Sequence, residues 1–267
     1  MARRIVPRRL SHDEEASLVE HLTELRHRLV ICLLAIVPAF AVAYVFHDEL
    51  IKRLKGLLPE GTPLVTLGVT EPFTTSLKVS FYVAIAIVLP ILLWQIWAFL
   101  APAVGDDTQR VIGVFVVLST ALFAGGVAFC YTIVLPKALT FLVDYDSELY
   151  LEQIRASYYL SFVTFALLAM SLIFQLPIFI LALVRLGVIT SGTLRRNRRI
   201  GIALCVVIAA LLPTVDPISL AFETIPLLIL FELSIWASVF FERRWARALA
   251  AQREAYASSR RCGRSSG

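Results

Sequence analysis

The sequence predicts an all-α protein that crosses a membrane six times, and three observations indicate this fold class. Hydrophobic residues make up 58% of the 267 residues and charged residues 17%, whereas an ordinary soluble domain is about 45 to 50% apolar. Long segments without charged side chains recur along the chain, as in membrane-spanning helices. Basic residues stand at the flanks of these segments, where they orient helices in a bilayer, so the net charge of +5 requires no nucleic acid as a partner.

The first predicted span covers residues 29–46, and a charged helical lead-in precedes it. The span rises about 27 Å at about 1.5 Å per residue, close to a hydrocarbon thickness of about 30 Å. Leucines at spacings of three and four give the lead-in one apolar face, while its charged residues can point to water: Glu24, Arg26 and Arg28. A cleaved secretory leader is the alternative, because arginines precede an apolar run that contains Ala39-Phe40-Ala41. The acidic lead-in and the length of the run favour a retained span.

The next three predicted spans are residues 76–101, 111–143 and 157–186. Pro90 can kink the second span, Gly125 and Gly126 permit close helix approach in the third, and Gln175-Leu-Pro177 interrupts the fourth. Between the first two spans, residues 48–75 are rich in proline and glycine. This segment is long for a connection, so we expect it to fold as a cap against the membrane surface.

The last two predicted spans, residues 200–212 and 218–241, are short. The first of them rises only about 20 Å, less than a bilayer requires. Six spans place both termini on one side, and most lysines and arginines lie on that side, including the cluster within residues 195–199. Both termini are therefore expected to be cytoplasmic. Residues 1–19 are predicted to form a mobile tail, residues 20–241 the transmembrane domain, and residues 242–267 a disordered basic tail.

Several kinds of chemistry are missing from the sequence. The chain has no glycine-rich phosphate-binding loop of the GxxxxGK[ST] type. All four histidines lie in the first 47 residues and none lies deep in a span, which argues against an intramembrane protease. The four cysteines stand apart without a metal-binding spacing. We expect a binding and assembly subunit, not an enzyme, and expect no cofactor and no metal.

Three polar placements are candidate functional positions, and each has a purely structural alternative. Glu24 with its neighbouring arginines could instead be a solvated helix end. Gln175 lies well inside the fourth span and is expected to face a concave, wettable side of the bundle, unless it pairs with the backbone carbonyl that Pro177 frees. Asp216 lies in the turn 213–217 between two short helices, where it could serve only as a helix cap.

Five segments, in this order and between residues 18 and 241, resemble the TatC family, the polytopic receptor subunit of the twin-arginine protein translocase. They are His21 to Leu29, Glu71-Pro72-Phe73, Trp94 to Pro102, Phe174 to Pro177, and Leu212 to Pro217. The resemblance implies a plasma-membrane protein that binds twin-arginine signal peptides of folded cargo at its cytoplasmic face. It also implies single-span partners of the TatA and TatB type, assembly in several copies, and transport driven by the proton-motive force.

The resemblance also implies roles for particular residues. Glu24 and Arg26 match positions used in signal-peptide recognition, and Phe99 matches an aromatic position beside the same site. Gln175 would contact a partner within the membrane. Three further residues would be structural positions on the periplasmic side: Pro72, Pro213 and Asp216.

The chain departs from the family pattern in the turn between the second and third spans. The family carries Tyr-x-x-Glu-Arg there, and this chain has Thr108 where the glutamate is expected. Our hypothesis is that Asp107, with Asp106, supplies the second anion. Many relatives carry glutamate at the position of Gln175, so the resemblance supports a polar role there and not a titrating one.

Two further interpretations concern the whole bundle. The short fifth span could thin the bilayer beside a docked partner and so lower the barrier to passing a folded protein. The alternative function is a secondary transporter of small solutes. That class predicts inverted repeats with broken helices in matching halves, and the chain shows no such symmetry.

Overall fold

A computed structural model describes residues 12–59, 62–100, 108–145, 153–185, 187–211 and 220–242. Its helices are α1 (His12–Val45), α2 (His47–Lys55), α3 (Glu71–Leu100), α4 (Thr108–Phe129), α5 (Leu135–Asp144), α6 (Ala156–Ile173), α7 (Leu176–Arg185), α8 (Ser191–Arg196), α9 (Arg198–Ala210) and α10 (Leu220–Glu242). A π-helical turn, Cys130–Val134, joins α4 to α5. Two short strands, β1 (Leu64–Val65) and β2 (Ile154–Arg155), pair in parallel with Leu64 opposite Ile154.

The molecule is a helical membrane protein with several apolar spans. Five helical segments within the described residues are long and apolar enough to cross a membrane: Leu22–Val45, Glu71–Phe99, Gly113–Asp144, Ala156–Arg185 and Leu220–Glu242. Helix α9 has 13 residues and is shorter than the roughly 20 residues of an ordinary span. Its length agrees with the short rise calculated from the sequence. The prediction that the sixth span is also short is wrong, because Leu220–Glu242 has 23 residues and is long enough to cross.

Helix α3 is the centre of the bundle and packs against α1, α4 and α6. Small side chains lie at these contacts, and Ser80 and Ser119 are completely buried. Small residues let helix backbones approach closely, which is how packing is achieved when lipid is as apolar as the helices themselves. Ala84 and Val88 of α3 are buried in one apolar cluster with Ala39 of α1.

The predicted close approach at Gly125-Gly126 is confirmed for one of the two glycines. A Cβ on Gly126 would lie 2.9 Å from the Cα of Ser171 and 2.9 Å from Cγ of Phe174, so α4 and α6 are in backbone contact there. A Cβ on Gly125 would meet nothing within 4 Å. Only Gly126 faces a neighbouring helix.

The interruption predicted in the fourth span is confirmed. Helix α6 ends at Ile173 and α7 begins at Leu176, and Pro177 lies in the first turn of α7. Proline has no N–H to donate and its ring clashes with the preceding turn, so it ends α6. The π-helical turn in the third span ends two residues before Pro136, which leaves the carbonyl one turn earlier without its usual donor.

Helix α1 begins inside the segment predicted to be a mobile tail. Its first residue is His12, so residues 12–19 are helical. The predicted tails at residues 1–11 and 243–267 lie outside the described residues.

A buried carboxylate organises the segment between the first two spans. The Glu71 side chain is 6% exposed, and its oxygens accept hydrogen bonds from Nε of Arg155 at 2.9 Å and from the backbone N–H groups of Ser157, Leu67 and Gly68. The hydrogen bond from Arg155 to Glu71 raises the pKa of the Arg155 guanidinium. Glu71 thus joins the beginning of α3 to the beginning of α6 beside the strand pair.

Helix α2 is held to the same end of the bundle. The hydroxyl of Tyr159 donates to the carbonyl of Leu54 at 2.6 Å, and that of Tyr131 donates to the carbonyl of Arg53 at 3.3 Å. Leu54 is buried in the main apolar core. The segment expected to fold as a cap therefore contains α2 and β1, and both are attached to the spans.

Candidate functional site

The candidate site forms where the charged lead-in of α1 meets the last turn of α3. Glu24 and Arg28 lie one turn apart on α1. Arg28 donates to Oε1 of Glu24 from Nε at 2.9 Å and from Nη2 at 2.5 Å. The side chain of Glu24 is 36% exposed and that of Arg28 22%. The carboxylate is therefore accessible from solvent while it already holds one guanidinium group.

Arg28 also attaches α1 to α3. Its Nη1 donates to Oε1 of Gln95 at 3.0 Å, and its Nη2 lies 3.4 Å from the carbonyl oxygen of Ala98. Ala98 is in the last turn of α3, where carbonyl groups have no partner within the helix and carry the negative end of the helix dipole. A cation in this position is favourable, so Arg28 fixes the orientation of Glu24 relative to α3.

The other two predicted residues of this end have different surroundings. Phe99 follows Ala98 directly in the last turn of α3 and is half-buried. Arg26 is exposed and makes no hydrogen bond or ion pair within the described part of the chain. The structure thus brings Glu24 and Phe99 to one mouth of the bundle, with Arg28 between α1 and α3. We call Glu24, Arg28, Gln95, Ala98 and Phe99 the mouth.

Several predicted site residues lie outside the described residues. These are Asp106, Asp107, Pro213 and Asp216. Thr108 enters the description only as the first residue of α4. Pro72 lies in the first turn of α3, where its carbonyl accepts a hydrogen bond from Ser76 at 3.0 Å. The hypothesis that Asp107 and Asp106 replace the expected glutamate stays a prediction.

Gln175, in the break between α6 and α7, takes part in a polar contact with α3 and α4. Its Nε2 donates to the carbonyl oxygen of Ser119 in α4 at 3.1 Å, and the hydroxyl of Ser119 accepts from Nε1 of Trp97 in α3 at 3.2 Å. Pairing with the carbonyl freed by Pro177, one of the two expectations, is therefore wrong, because α4 offers a carbonyl within reach. Oε1 of Gln175 is buried without a hydrogen-bond partner among the described residues.

Sequence reasoning missed two participants, Gln95 and Ser119. Gln95 stands between Trp94 and Ile96 in an apolar segment, and an isolated amide in such a segment is a signal that it contacts another polar group. Its partner could not be identified, because Arg28 is 67 residues away along the chain. Ser119 gave no signal, since serine is common in apolar helices and bonds to its own backbone.

The described residues contain no group of three or more His, Cys, Asp and Glu side chains that could hold a metal ion. The mouth offers one carboxylate, one amide and a helix C-terminus. These groups bind cations by hydrogen bonds and charge. Groups of this kind suit a cation, above all a planar guanidinium group.

Comparisons with known proteins agree on one family. Residues 20–226 match the family model of the Sec-independent protein translocase protein TatC. The chain is 31% identical over 236 residues to the TatC protein of Escherichia coli strain K12, covering 87% of this chain and 92% of that protein. It is 34% identical over 234 residues to the protein of Haemophilus influenzae strain Rd, with 86% and 91% covered.

A solved structure agrees with the sequence relatives. A crystal structure of the twin-arginine translocase receptor TatC in DDM superimposes with a TM-score of 0.74 at 33% identity. The superposition covers 82% of this chain and 99% of that chain. The fold and the sequence therefore point to the same family.

Proposed function

The chain belongs to the TatC family, and from that premise we propose that its mouth binds the arginine pair of twin-arginine signal peptides. The protein is a core membrane subunit of the twin-arginine translocase, a protein-transport component. None of the relatives reported above is a transporter of small solutes, so that alternative has no support. The proposal concerns where and how this subunit recognises its cargo.

The observation that carries the proposal is the pairing of Glu24 with a guanidinium group. Arg28 shows that the carboxylate of Glu24 is oriented to accept two hydrogen bonds from one guanidinium. A second guanidinium, from the signal peptide, would be recognised by the same chemistry, and each such contact is worth about 1 to 3 kcal/mol. An ammonium group has no planar fork, so a peptide with a lysine pair should bind more weakly.

The second arginine of the pair needs a second anion. We propose that Asp107, with Asp106, provides it in place of the glutamate that the family carries at the position of Thr108. Arg26 would set the local charge of the mouth, and Phe99 would pack against the apolar part of the signal peptide. Changing Asp106 and Asp107 to Asn together should reduce export of twin-arginine cargo. Export at the wild-type level would show that neither residue takes part in binding the signal peptide.

The mouth must face the cytoplasm if it receives cargo before transport. We propose six spans, with α9 as the short fifth span and both termini cytoplasmic. The support is the concentration of arginines near the mouth, in α8 and α9 and in the last residues of the chain. Glu71, Pro72, Pro213 and Asp216 would then lie on the periplasmic side. Labelling of single cysteines from either side of the membrane tests this orientation.

We further propose that the subunit assembles in several copies with single-span partners of the TatA and TatB type, driven by the proton-motive force. We assign Gln175 to a partner contact within the membrane; its Oε1 is buried without a hydrogen-bond donor among the described residues, so docking would have to open the packing around it. A donor on a partner helix would satisfy it. Gln175→Leu should therefore weaken partner association in the membrane without changing signal-peptide binding.

A photocrosslinking experiment tests the cargo site directly. A crosslinking side chain at Phe99 should capture a signal peptide with an arginine pair and capture the same peptide with a lysine pair much less. Glu24→Gln should reduce capture of the arginine peptide to the level of the lysine peptide. Equal capture of both peptides by the unchanged chain would refute the proposal.

A matched control exists for this carboxylate. Glu49 and Arg53 form the same one-turn pair on α2, at 3.1 Å, at the other end of the first span. Glu49→Gln removes the same kind of charge and should leave capture unchanged. If Glu49→Gln and Glu24→Gln reduced capture equally, the effect would be a general charge effect and not recognition at the mouth.

A further inference from the structure

The turn between α8 and α9 concentrates positive charge on the surface of the protein. Four arginines lie within five residues and all are exposed: Arg195, Arg196, Arg198 and Arg199. Arg198 forms an ion pair with Glu232 of α10, with Nε 2.5 Å from Oε1. Across the described ranges, the other three arginines have no carboxylate partner.

Their position makes this charge unfavourable for the protein alone. Arg198 and Arg199 begin α9, and the N-terminus of a helix carries the positive end of the helix dipole, which repels cations. The side chain of Asn197, the residue before α9, makes no capping hydrogen bond. The charges thus repel one another and the helix end, a local conflict that is typical of functional surfaces.

An apolar stripe begins directly after the arginines. Three side chains of α9 and its C-cap residue are more than half exposed and follow one face at spacings of four, three and four residues: Ile200, Leu204, Val207 and Leu211. The opposite face is buried, with Cys205 and Ala209 in the core beside Phe231 of α10. One side of this element therefore combines a basic end with an apolar length.

We propose that residues 195–199 and the exposed stripe of α9 form a binding site for an anionic phospholipid. Guanidinium groups of Arg195, Arg196 and Arg199 would hold the headgroup phosphate through charge-assisted hydrogen bonds. The acyl chains would lie along the stripe that begins at Ile200. Free phosphate would satisfy the arginines but not the stripe, so the lipid is the occupant that fits both parts.

The site is independent of signal-peptide binding, because it uses neither Glu24 nor Phe99. It lies at the entry to the shortest spanning helix, α9, where the bilayer must adapt to the protein. A lipid held there would fix the depth of α9 relative to the headgroups. The basic cluster would thus bind a lipid in addition to helping to orient the protein in the membrane.

Native mass spectrometry of the intact chain, purified from membranes with defined lipids, tests the proposal. Phosphatidylglycerol should be retained by the unchanged protein and phosphatidylcholine should not. The triple variant R195Q/R196Q/R199Q should lose at least about tenfold in phosphatidylglycerol retention, because each basic residue near the surface contributes separately. Retention by the unchanged protein should fall with rising salt.

Two controls keep the result interpretable. The triple variant K52Q/R53Q/K55Q removes three exposed basic residues from α2 at the other end of the bundle and should keep the lipid. R195K/R196K/R199K preserves the charges, so it should keep the membrane orientation and most of the lipid. The melting temperature of the glutamine variant without lipid should equal that of the unchanged protein. Together with lipid binding by the lysine variant, this result would exclude loss of folding as the cause of the lost lipid retention.

Three outcomes would overturn the proposal. Equal lipid loss from the α2 variant and the 195/196/199 variant would show a general charge effect. Displacement of the lipid by millimolar inorganic phosphate would show that the arginines bind phosphate without the stripe. Unchanged lipid retention in R195Q/R196Q/R199Q, with loss of a co-purifying polypeptide instead, would show that the cluster binds a protein.

Discussion

The contact at Gly126 gives the sharpest test of the packing between α4 and α6. In Gly126→Ala the new Cβ would lie 2.9 Å from the Cα of Ser171, 2.9 Å from Cγ of Phe174 and 3.1 Å from its Cβ. Carbon atoms in contact are normally about 3.5 to 4.0 Å apart. The Ser171 Cα is backbone, so the helices must separate by about half an ångström or more, and overpacking of this kind costs about 1 to 3 kcal/mol.

The neighbouring glycine supplies the control. A Cβ on Gly125 meets nothing within 4 Å, and both glycines lie in the same turn of α4. Replacing either glycine by alanine favours the helix by about 1 kcal/mol. That gain cancels when the two variants are compared, so Gly126→Ala should be less stable than Gly125→Ala by about 1 to 3 kcal/mol.

Thermal unfolding in detergent, followed by tryptophan fluorescence, measures the difference. For a chain of this size, about 1 kcal/mol corresponds to about 2 to 4 °C in Tm, so Gly126→Ala should melt about 2 to 12 °C below Gly125→Ala. Gly126→Ala combined with Phe174→Leu should recover part of the loss, because the ring contact is removed and the backbone contact is not. Equal melting temperatures for the two alanine variants would show that α4 and α6 are not in backbone contact at Gly126.

Three further predictions concern other parts of the bundle. A Cβ on Gly201 would overlap the ring of Phe231, so Gly201→Ala should make the α9–α10 contact more accessible to protease. Adding Phe231→Ala should restore protection, and a rise in cleavage that this second change does not reverse would contradict the packing. Glu71→Gln removes the charge that pairs with Arg155, so proteolysis near β2 should increase, whereas Glu49→Gln should have no such effect. Unchanged cleavage in Glu71→Gln would mean that the hydrogen bonds from backbone N–H groups are enough to hold β2 in place. Adding about one helical turn to α9 should abolish transport and leave signal-peptide binding intact if the short span thins the bilayer, and normal transport by the lengthened chain would refute the thinning hypothesis.

The sequence was sufficient to identify the long helices and the places where they break. Apolar segments without charge define the spans from composition alone, and Pro177 marks the end of α6 because proline cannot continue the hydrogen-bond pattern. The sequence could not say which of Gly125 and Gly126 faces α6. Neighbouring residues on a helix point about 100° apart, and the rotation of α4 is decided by its contacts.

The sequence predicted the charged residues of the candidate site but not the contacts that they make with other helices. Glu24 and Arg28 stand at a spacing of four residues, which favours an ion pair on one helix. The contacts of Arg28 with Gln95 and Ala98 join residues about 70 positions apart, and no local pattern reports such a contact. Gln175 was recognised as a polar residue that needs a partner, but the carbonyl of Ser119 became its partner only through the packing of α4.

The contacts at the two ends of α3 indicate which parts of the protein can move. At its first turn, Glu71 places a carboxylate at the positive end of the helix dipole and pairs with Arg155. At its last turn, Arg28 places a guanidinium at the negative end, against the carbonyl of Ala98. Both charges are favourable for the helix and both are bonded to another element, so α3 holds α1 and α6 in position at opposite ends of the bundle.

The contact between α9 and α10 is of a different kind. It includes apolar packing around Phe231 and the ion pair between Arg198 and Glu232, whose side chains are 57% and 29% exposed. Partly exposed ion pairs contribute little to stability. The proposed binding of a signal peptide at the mouth would therefore act on the part of the bundle that α3 holds together. We expect rearrangement during transport to occur at α9 and α10, and crosslinking α9 to α10 should stop transport, whereas crosslinking α1 to α3 should not.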